Sequence, residues 1–311
     1  MILLTTFNKY RTRAHNFYRD HGMERDPTSA QICAALLARA PHLQPNSFAT
    51  LKNALRHDQL ARGNKEAAKA IRKLVNPVTA PGSLLKRKTK PPKVQSVKLK
   101  DFDALVKHLR SNRRIHEAAS VILAYYLGTR PCEMRDVVVL GRQVLITGGK
   151  KNEKLQRGAD RTLEILESSV LGLVATAAEI MSKCLRSDAA IRDRLRQECR
   201  LLWPRRKDRP TLKSFRHQLG ATLKASDETA EGLAYMMGHQ STDSISIYGN
   251  RRSGQGRTLH IVPAEGADLS KVRKPAKTPI YGRERVIGVI EFHAATRARY
   301  READKPDRDS R

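Results

Sequence analysis

The feature that most constrains this fold is a break. Between residues 76 and 98, Pro77, Pro81, Pro91, Pro92 and Gly82 disfavour regular structure, while the chain on both sides carries helical periodicity. A single core is not easily continued through such a stretch, so the 311 residues read as separately packed parts. The boundaries fall as a helical domain over 1–78, a basic linker over 79–98, a second domain over 99–253 and a C-terminal extension over 254–311.

Upstream of the break, Phe48, Leu51, Ala54, Leu55 and Leu60 fall near one helical face. Ala67, Ala68, Ile71 and Leu74 repeat the spacing, with Lys65, Lys69, Arg72 and Lys73 outside. Downstream, Phe102, Leu105, Val106 and Leu109 line a helix with acids in its first turn, as the helix dipole favours. A more apolar helix follows over 116–127 and ends at Gly128. Gln143-Val-Leu-Ile-Thr and Arg161-Thr-Leu-Glu-Ile read as strands around a polar, lysine-rich connection. Helices are predicted over 168–185, 189–202, 211–224 and 228–237, then a strand from Arg285 and a basic helix over 293–301. The fold class is mainly α with a small antiparallel β-sheet, an α+β arrangement.

Sixty Lys and Arg against 31 Asp and Glu leave a net charge of +29. That excess points to a polyanionic partner, nucleic acid. Lys86, Arg87, Lys88, Lys90 and Lys93 concentrate it in the linker, where they are expected to lie along DNA phosphates. No stretch reaches the roughly 18 apolar residues of a membrane span, and the N-terminus lacks the basic start of a secretory signal. No membrane partner is expected, and the cytoplasm, on the nucleoid, is the expected location. Cys33, Cys132, Cys184 and Cys199 show neither CxxC pairing nor Cys/His ligand spacing. They read as buried thiols in a reducing compartment, with no structural metal.

Chemistry-bearing residues gather between 130 and 248. They are Gly-Thr-Arg130-Pro-Cys-Glu133, Gly-Gly-Lys150-Lys151, Lys213-Ser-Phe-Arg216-His217, Gly238-His239, and Tyr248 nine residues further on. Substitution at a phosphodiester needs cationic donors on the non-bridging oxygens, an acid for the leaving oxygen and a nucleophile. All three types are present. Thr211 can cap a helix whose buried stripe is Leu212, Phe215, Leu219 and Leu223, which puts Lys213 and Arg216 together on its flank. An arginine there can fork onto two phosphate oxygens. Gly238 ends the next helix, leaving His239 held but not deep in the core. Ser241 or Thr242 can cap a short helix that projects Tyr248 into a basic neighbourhood with Arg251 and Arg252.

In this order and at these intervals, the motifs resemble the tyrosine recombinase (phage integrase) family over roughly 95–252. Residues 1–78 more weakly resemble that family's helical core-binding domain. The resemblance implies a site-specific DNA recombinase that cleaves and rejoins DNA through a 3′-phosphotyrosyl intermediate and a Holliday junction, in integration, excision or resolution of a mobile element. Arg130 and Arg216 are then implied to clamp the scissile phosphate, with Glu133 in support. Lys150 is implied to protonate the leaving 5′ oxygen, with Lys151 as the alternative. Lys213 stands where the family more commonly has histidine and is implied to assist proton transfer. His239 would hydrogen-bond the phosphate or the phenol, and Tyr248 would be the nucleophile, with Tyr235 and Tyr281 next in line. No metal or other cofactor is implied.

The implied partners are duplex DNA with specific recombination sites, a homotetramer on paired sites and an accessory DNA-bending or directionality factor. The 254–311 extension would serve protomer exchange. The alternatives are a type IB topoisomerase-like relaxing enzyme and a non-catalytic DNA-binding protein. The helical residues 1–78 and the Gly-His pair before Tyr248 favour the recombinase. The charge itself carries an expectation: affinity for duplex DNA falls by about 10³-fold or more between about 50 and 200 mM salt. A flat salt response in a binding titration would show that the charge serves something other than DNA.

Overall fold

The computed structural model describes residues 4–23, 27–89, 94, 96–149, 151, 159–255 and 259–274. The chain divides into two compact units, Met1–Pro92 and Lys93–Arg311.

In the first unit, helices α1 (Leu4–Asp20), α2 (Ser29–Arg39), α3 (Pro45–Ala61) and α4 (Lys65–Lys73) surround a core that includes Phe17, Ile32, Leu36, Phe48, Leu55 and Ile71. Thr28 starts α2 by a reciprocal cap with Gln31. Pro45 opens α3, where its missing N–H has no helical partner to lose. The Tyr18 hydroxyl donates to Asp58 and accepts from Gln59, both at 3.0 Å, tying α1 to α3. The described residues from 84 to 89 are irregular. The Lys88 ammonium donates to the His42 carbonyl at 2.9 Å, which fastens this segment to the rest of the first unit.

The second unit begins with α5 (Leu99–Ser111) and α6 (Ile115–Tyr126). A 3-10 turn, Pro131–Asp136, leads into β1 (Val137–Leu140), β2 (Gln143–Ile146) and β3 (Arg161–Ile165). Four helices follow: α7 (Ser168–Ser182), α8 (Asp188–Leu202), α9 (Leu212–Ala225) and α10 (Ala230–Met236). Two 3-10 turns, Thr242–Ile247 and Arg251–Ser253, precede β4 (Ile261–Pro263). The strands form one antiparallel sheet in the order β1-β2-β3-β4. Val144 and Ile146 from β2, with Leu163 and Ile165 from β3, join Leu105, Leu123 and Phe215 in one core. Glu198 on α8 accepts from Arg114 at 2.8 Å and pairs with His108 at 3.0 Å, bracing the helices around that core.

The helices lie within a few residues of their predicted spans. The strands β1 and β4 are additional: β1 is an unbroken apolar run without alternation, and β4 has only three residues. Residues 259–274, expected within a separate extension, pack into the second unit. Ile261 pairs with Ile165, and Arg273 and Thr242 exchange main-chain bonds with each other's neighbourhood: Arg273 N donates to Gln240 O at 3.1 Å and Thr242 N to Arg273 O at 3.2 Å. The strand and helix expected after Arg285 lie outside the described residues. Cys184 and Cys199 are buried, but Cys132 is exposed and Cys33 half-buried, which corrects the expectation of four buried thiols. Cys132 occupies the 3-10 turn beneath the β2–β3 connection, its Sγ 3.7 Å from the Gly149 carbonyl. No helix among the described residues is long and apolar enough to cross a membrane.

Phe215 meets Phe102 and Tyr125 edge-on, each at 6.4 Å between ring centroids, and is fully buried. Phe215→Ala is expected to destabilise the second unit by about 3–5 kcal/mol. An unmoved denaturation midpoint would show that this aromatic cluster does not hold α5, α6 and α9 together.

Candidate active site

Arg130 leaves α6 through Gly128 and Thr129 and enters the 3-10 turn, with Pro131 in the first position. Glu133 lies three residues on, and its carboxylate accepts the Arg130 N–H at 2.9 Å as well as a bond from the Arg130 guanidinium. The same carboxylate accepts from Arg161 Nη2 at 3.1 Å and from Gly149 N at 3.4 Å. Burial alone raises the Glu133 carboxyl, but Arg161 and then Arg130 outweigh it and hold it at about 2. Glu133 is therefore a fixed anion between two cations.

Arg161 did not figure among the expected site residues. It starts β3 on the same face as Leu163 and Ile165, opposite Ile146, so the pleat turns it inward. Its side chain is fully buried, and burial lowers its pKa. Parity with Leu163 and Ile165 was the signal that could have found it. Gly238, with φ +63°, is seated against it: a Cβ there would stand 2.6 Å from Arg161 Nη1. Arg130 Nη2 also donates to the Gly238 carbonyl at 3.3 Å. The turn that presents His239 is thus packed on two guanidinium groups.

Arg216 corrects the picture of a helix flank. α9 is covered on nearly all sides, and Arg216 is only 3% exposed. It donates to the carbonyls of Gly128 and Met237, just past α6 and α10, where helix dipoles favour a cation. Burial first, then Arg130 and Arg161, lower its pKa to about 10, so it stays charged at neutral pH. Lys213, expected beside it, remains exposed in the first turn of α9.

His239 is likewise deeper than expected, at 7% exposure. Its Nε2 lies 3.1 Å from Arg216 Nη2. A guanidinium can only donate, so Nε2 accepts and the ring proton sits on Nδ1. Burial, then Arg216, Arg130 and Arg161, lower its pKa to about 2. The imidazole is neutral, with one N–H to give. His239 Nδ1, Arg216 Nε, and Arg161 Nε and Nη1 are buried without a hydrogen-bond partner among the described residues.

Tyr248 follows the Thr242–Ile247 turn and is half-buried. Its ring centroid is 4.9 Å from the Arg216 guanidinium carbon and 5.0 Å from the rings of both His239 and His217. Burial raises the phenol's pKa, but the charge and hydrogen bond of Arg216, then Arg130 and Lys213, bring it below its ordinary value. Lys213 therefore acts on Tyr248 as a nearby charge. Lys150 lies outside the described residues, as do Lys90 and Lys93. Lys151 pairs with Asp160 at 2.7 Å, and Asp160 also accepts from Gly148 N at 2.7 Å, so the acid pins the root of this connection. Lys86, Arg87 and Lys88 are exposed in the first unit. The structure thus brings together Arg130, Glu133, Arg216, His239 and Tyr248, and adds Arg161 and His217. Among the described residues no three His, Cys, Asp or Glu side chains gather as a metal-ligand set.

The fold is that of lambda integrase in its solved structures. Among solved structures it is similar to a lambda integrase dimer bound to a COC′ core site, with a TM-score of 0.54 and 16% identity over 82% of this chain and 74% of that one. It is also similar to a lambda integrase tetramer bound to a Holliday junction, with a TM-score of 0.54 and 15% identity over 82% and 74%. A lambda integrase (75-356) dimer on a COC′ core site matches with a TM-score of 0.51 and 16% identity over 78% and 91%. No protein-family model and no curated protein matches the chain.

Glu133 has a testable role in stability. Its folded carboxyl titrates at about 2 against 4.5 for the ordinary group. Its contribution is therefore complete above the ordinary value and is lost as pH falls toward the folded one. Glu133→Gln leaves Arg161 buried without its counter-charge and is expected to cost about 3–5 kcal/mol at neutral pH. The acid limb of the stability profile should flatten in the variant. A neutral-pH midpoint equal to wild type would remove Glu133 from this role.

Proposed function

We propose that this chain is a site-specific DNA recombinase in which Tyr248 attacks a phosphodiester and becomes joined to the 3′ phosphate. The observation that carries this is the placement of the phenol, 4.9 Å from a buried arginine and beside a neutral histidine, where Arg216 Nε and His239 Nδ1 still have hydrogen bonds to give. Arg130 and Arg216 neutralise the non-bridging oxygens and the charge that develops as phosphorus becomes five-coordinate. A positive setting also favours loss of the phenolic proton to solvent water. The Tyr248 oxygen forms the new bond to phosphorus, and the bond to the 5′ oxygen breaks. That oxygen takes a proton from Lys150, or from Lys151 in its stead, while Lys213 assists by its charge.

In the return step a 5′-hydroxyl attacks the phosphotyrosine, the bond to Tyr248 breaks and the phenol regains its proton. One phosphodiester is exchanged for another, so the chemistry consumes no nucleotide and calls for no metal. Attack by a 5′-hydroxyl from a second duplex passes strands through a Holliday junction. The likeness to lambda integrase bound to a core site, and as a tetramer on a Holliday junction, supports this reading. So does the net charge of +29, which suits duplex DNA as the partner. Specific recombination sites, assembly as a tetramer and an accessory bending or directionality factor belong to the same proposal.

The test is covalent capture on a pool of nicked duplexes with randomised sequence beside the nick. Wild type is expected to form a denaturant-stable, 3′-linked adduct and Tyr248→Phe none. Arg130→Ala and Arg216→Ala should each slow adduct formation by at least about 10²-fold. An adduct that persists in Tyr248→Phe moves the nucleophile elsewhere, Tyr235 first, although its hydroxyl already accepts Thr162 N at 3.0 Å. No adduct from wild type across the pool overturns the proposal.

A further inference from the structure

Besides Arg216, α9 touches the chain around Tyr248 at His217, Gly220, Ala221 and Lys224. These positions recur at i, i+3, i+4 and i+7, one stripe of a helix. His217 Nδ1 accepts the Gly249 N–H at 3.1 Å. Two turns on, Lys224 Nζ donates to the Tyr248 carbonyl at 2.5 Å and to the Gly249 carbonyl at 3.0 Å. Between these anchors the chain lies directly on the helix. Gly249 has φ +54°, and a Cβ on it would stand 2.4 Å from Ala221 N and 2.5 Å from the His217 carbonyl. A Cβ on Gly220 would stand 2.9 Å from Tyr248 Cβ.

We propose that His217 and Lys224 are positioning residues that clamp the Tyr248–Gly249 peptide onto α9, so that one rigid helix aims both the nucleophile and Arg216. The proposal rests on the reading of Tyr248 as the nucleophile. His217 Nδ1 and Lys224 Nζ both bond the main chain at Tyr248–Gly249, and through it they position the phenol. The need for a clamp follows from what precedes Tyr248. A 3-10 turn is a short element with poor hydrogen-bond geometry, and just past its end Tyr248 N donates to the Ile245 carbonyl at 2.9 Å. Side-chain anchors on the neighbouring helix remove that freedom. A displacement of about 1 Å in a reacting group costs up to about 10² in rate, so the anchors bear on catalysis without entering the chemistry.

The tautomer of His217 supplies a discriminating variant. Acceptance at Nδ1 requires that nitrogen to carry no proton, so the ring proton is on Nε2. In His217→Asn the amide oxygen branches from Cγ as Nδ1 does and can still accept Gly249 N–H. In His217→Gln the oxygen moves one bond outward, toward the place of Nε2. Both variants lose the ring, so a merely structural histidine would make them equally impaired.

Two measurements on the full-length chain decide the matter. The first needs no DNA: fluorotyrosine is incorporated and the Tyr248 fluorine resonance is assigned by its loss in Tyr248→Phe. His217→Gln and Lys224→Met are expected to shift that resonance, and His217→Asn to leave it near wild type. The second is the rate of single-turnover adduct formation on nicked duplexes of randomised sequence. His217→Gln and Lys224→Met should slow it by about 10²-fold at unchanged half-saturating DNA, and His217→Asn should recover most of the rate. Equal rates in the two amide variants, a loss confined to DNA affinity, or a fluorine resonance insensitive to both His217→Gln and Lys224→Met overturns the clamp. Fluorine shifts as expected with no wild-type adduct would sink the recombinase reading and leave the clamp standing.

Discussion

The arrangement depends on one buried carboxylate. Arg130, Arg161 and Arg216 converge on a small volume, and three guanidinium groups taken from water repel one another as well as losing hydration. Glu133 supplies the counter-charge, accepting from both Arg130 and Arg161. It reaches them because Pro131 opens a 3-10 turn in which the third residue folds back on Arg130, the residue that caps the turn. It also accepts the N–H of Gly149, so the root of the β2–β3 connection is fixed to the same anion. Residues from the end of α6, the start of β3 and the lysine-bearing connection are thereby referenced to one group.

Arg216 is held by a different device. The carbonyls that follow α6 and α10 take its donors. Dipoles neutralise a cation less completely than a carboxylate does. Arg216 therefore keeps more of its field for an incoming anion, whereas Arg161 is largely committed to Glu133. The two modes of burial divide the work: one arginine is structural support for the pocket, the other faces Tyr248.

The sequence carried the identities of most of these residues but little of their depth. Arg130, Glu133, Arg216, His239 and Tyr248 are recognisable by order and interval, and the structure gathers all five. Lys213 and Arg216 looked equivalent because a single helical stripe was assigned to the core. α9 is instead enclosed by α6, the Tyr248 segment and the Arg251–Ser253 turn, so its inside includes residues the stripe leaves out. Enclosure on several sides depends on contacts distant in sequence, which local periodicity does not encode. Arg161 was hidden for the opposite reason. Its strand was legible, but a charge at the first position looks like a polar strand end unless the pleat is followed from Leu163 and Ile165 backwards. β4 pairs with β3 across almost a hundred residues, and a three-residue strand has no pattern of its own.

The neutrality of His239 shows why so much positive charge surrounds a histidine. An imidazole between Arg216 and the phenol, in water, would share a proton near neutral pH and could stand in either tautomer. Burial and the three arginines remove the charged form, and the Arg216 donor then forces the remaining proton onto Nδ1. The same cations that favour an anionic phenol therefore hold the histidine as a fixed, neutral donor. Cationic charge and neutral donor are complementary here: adding another positive group beside Tyr248 would cost further desolvation, while a neutral N–H can bond a phosphate oxygen or the phenolate without it. Unsatisfied buried donors cost stability in the absence of an acceptor. Arg216 Nε and His239 Nδ1 are retained where Tyr248, Arg216 and His239 meet, an arrangement suited to an anion.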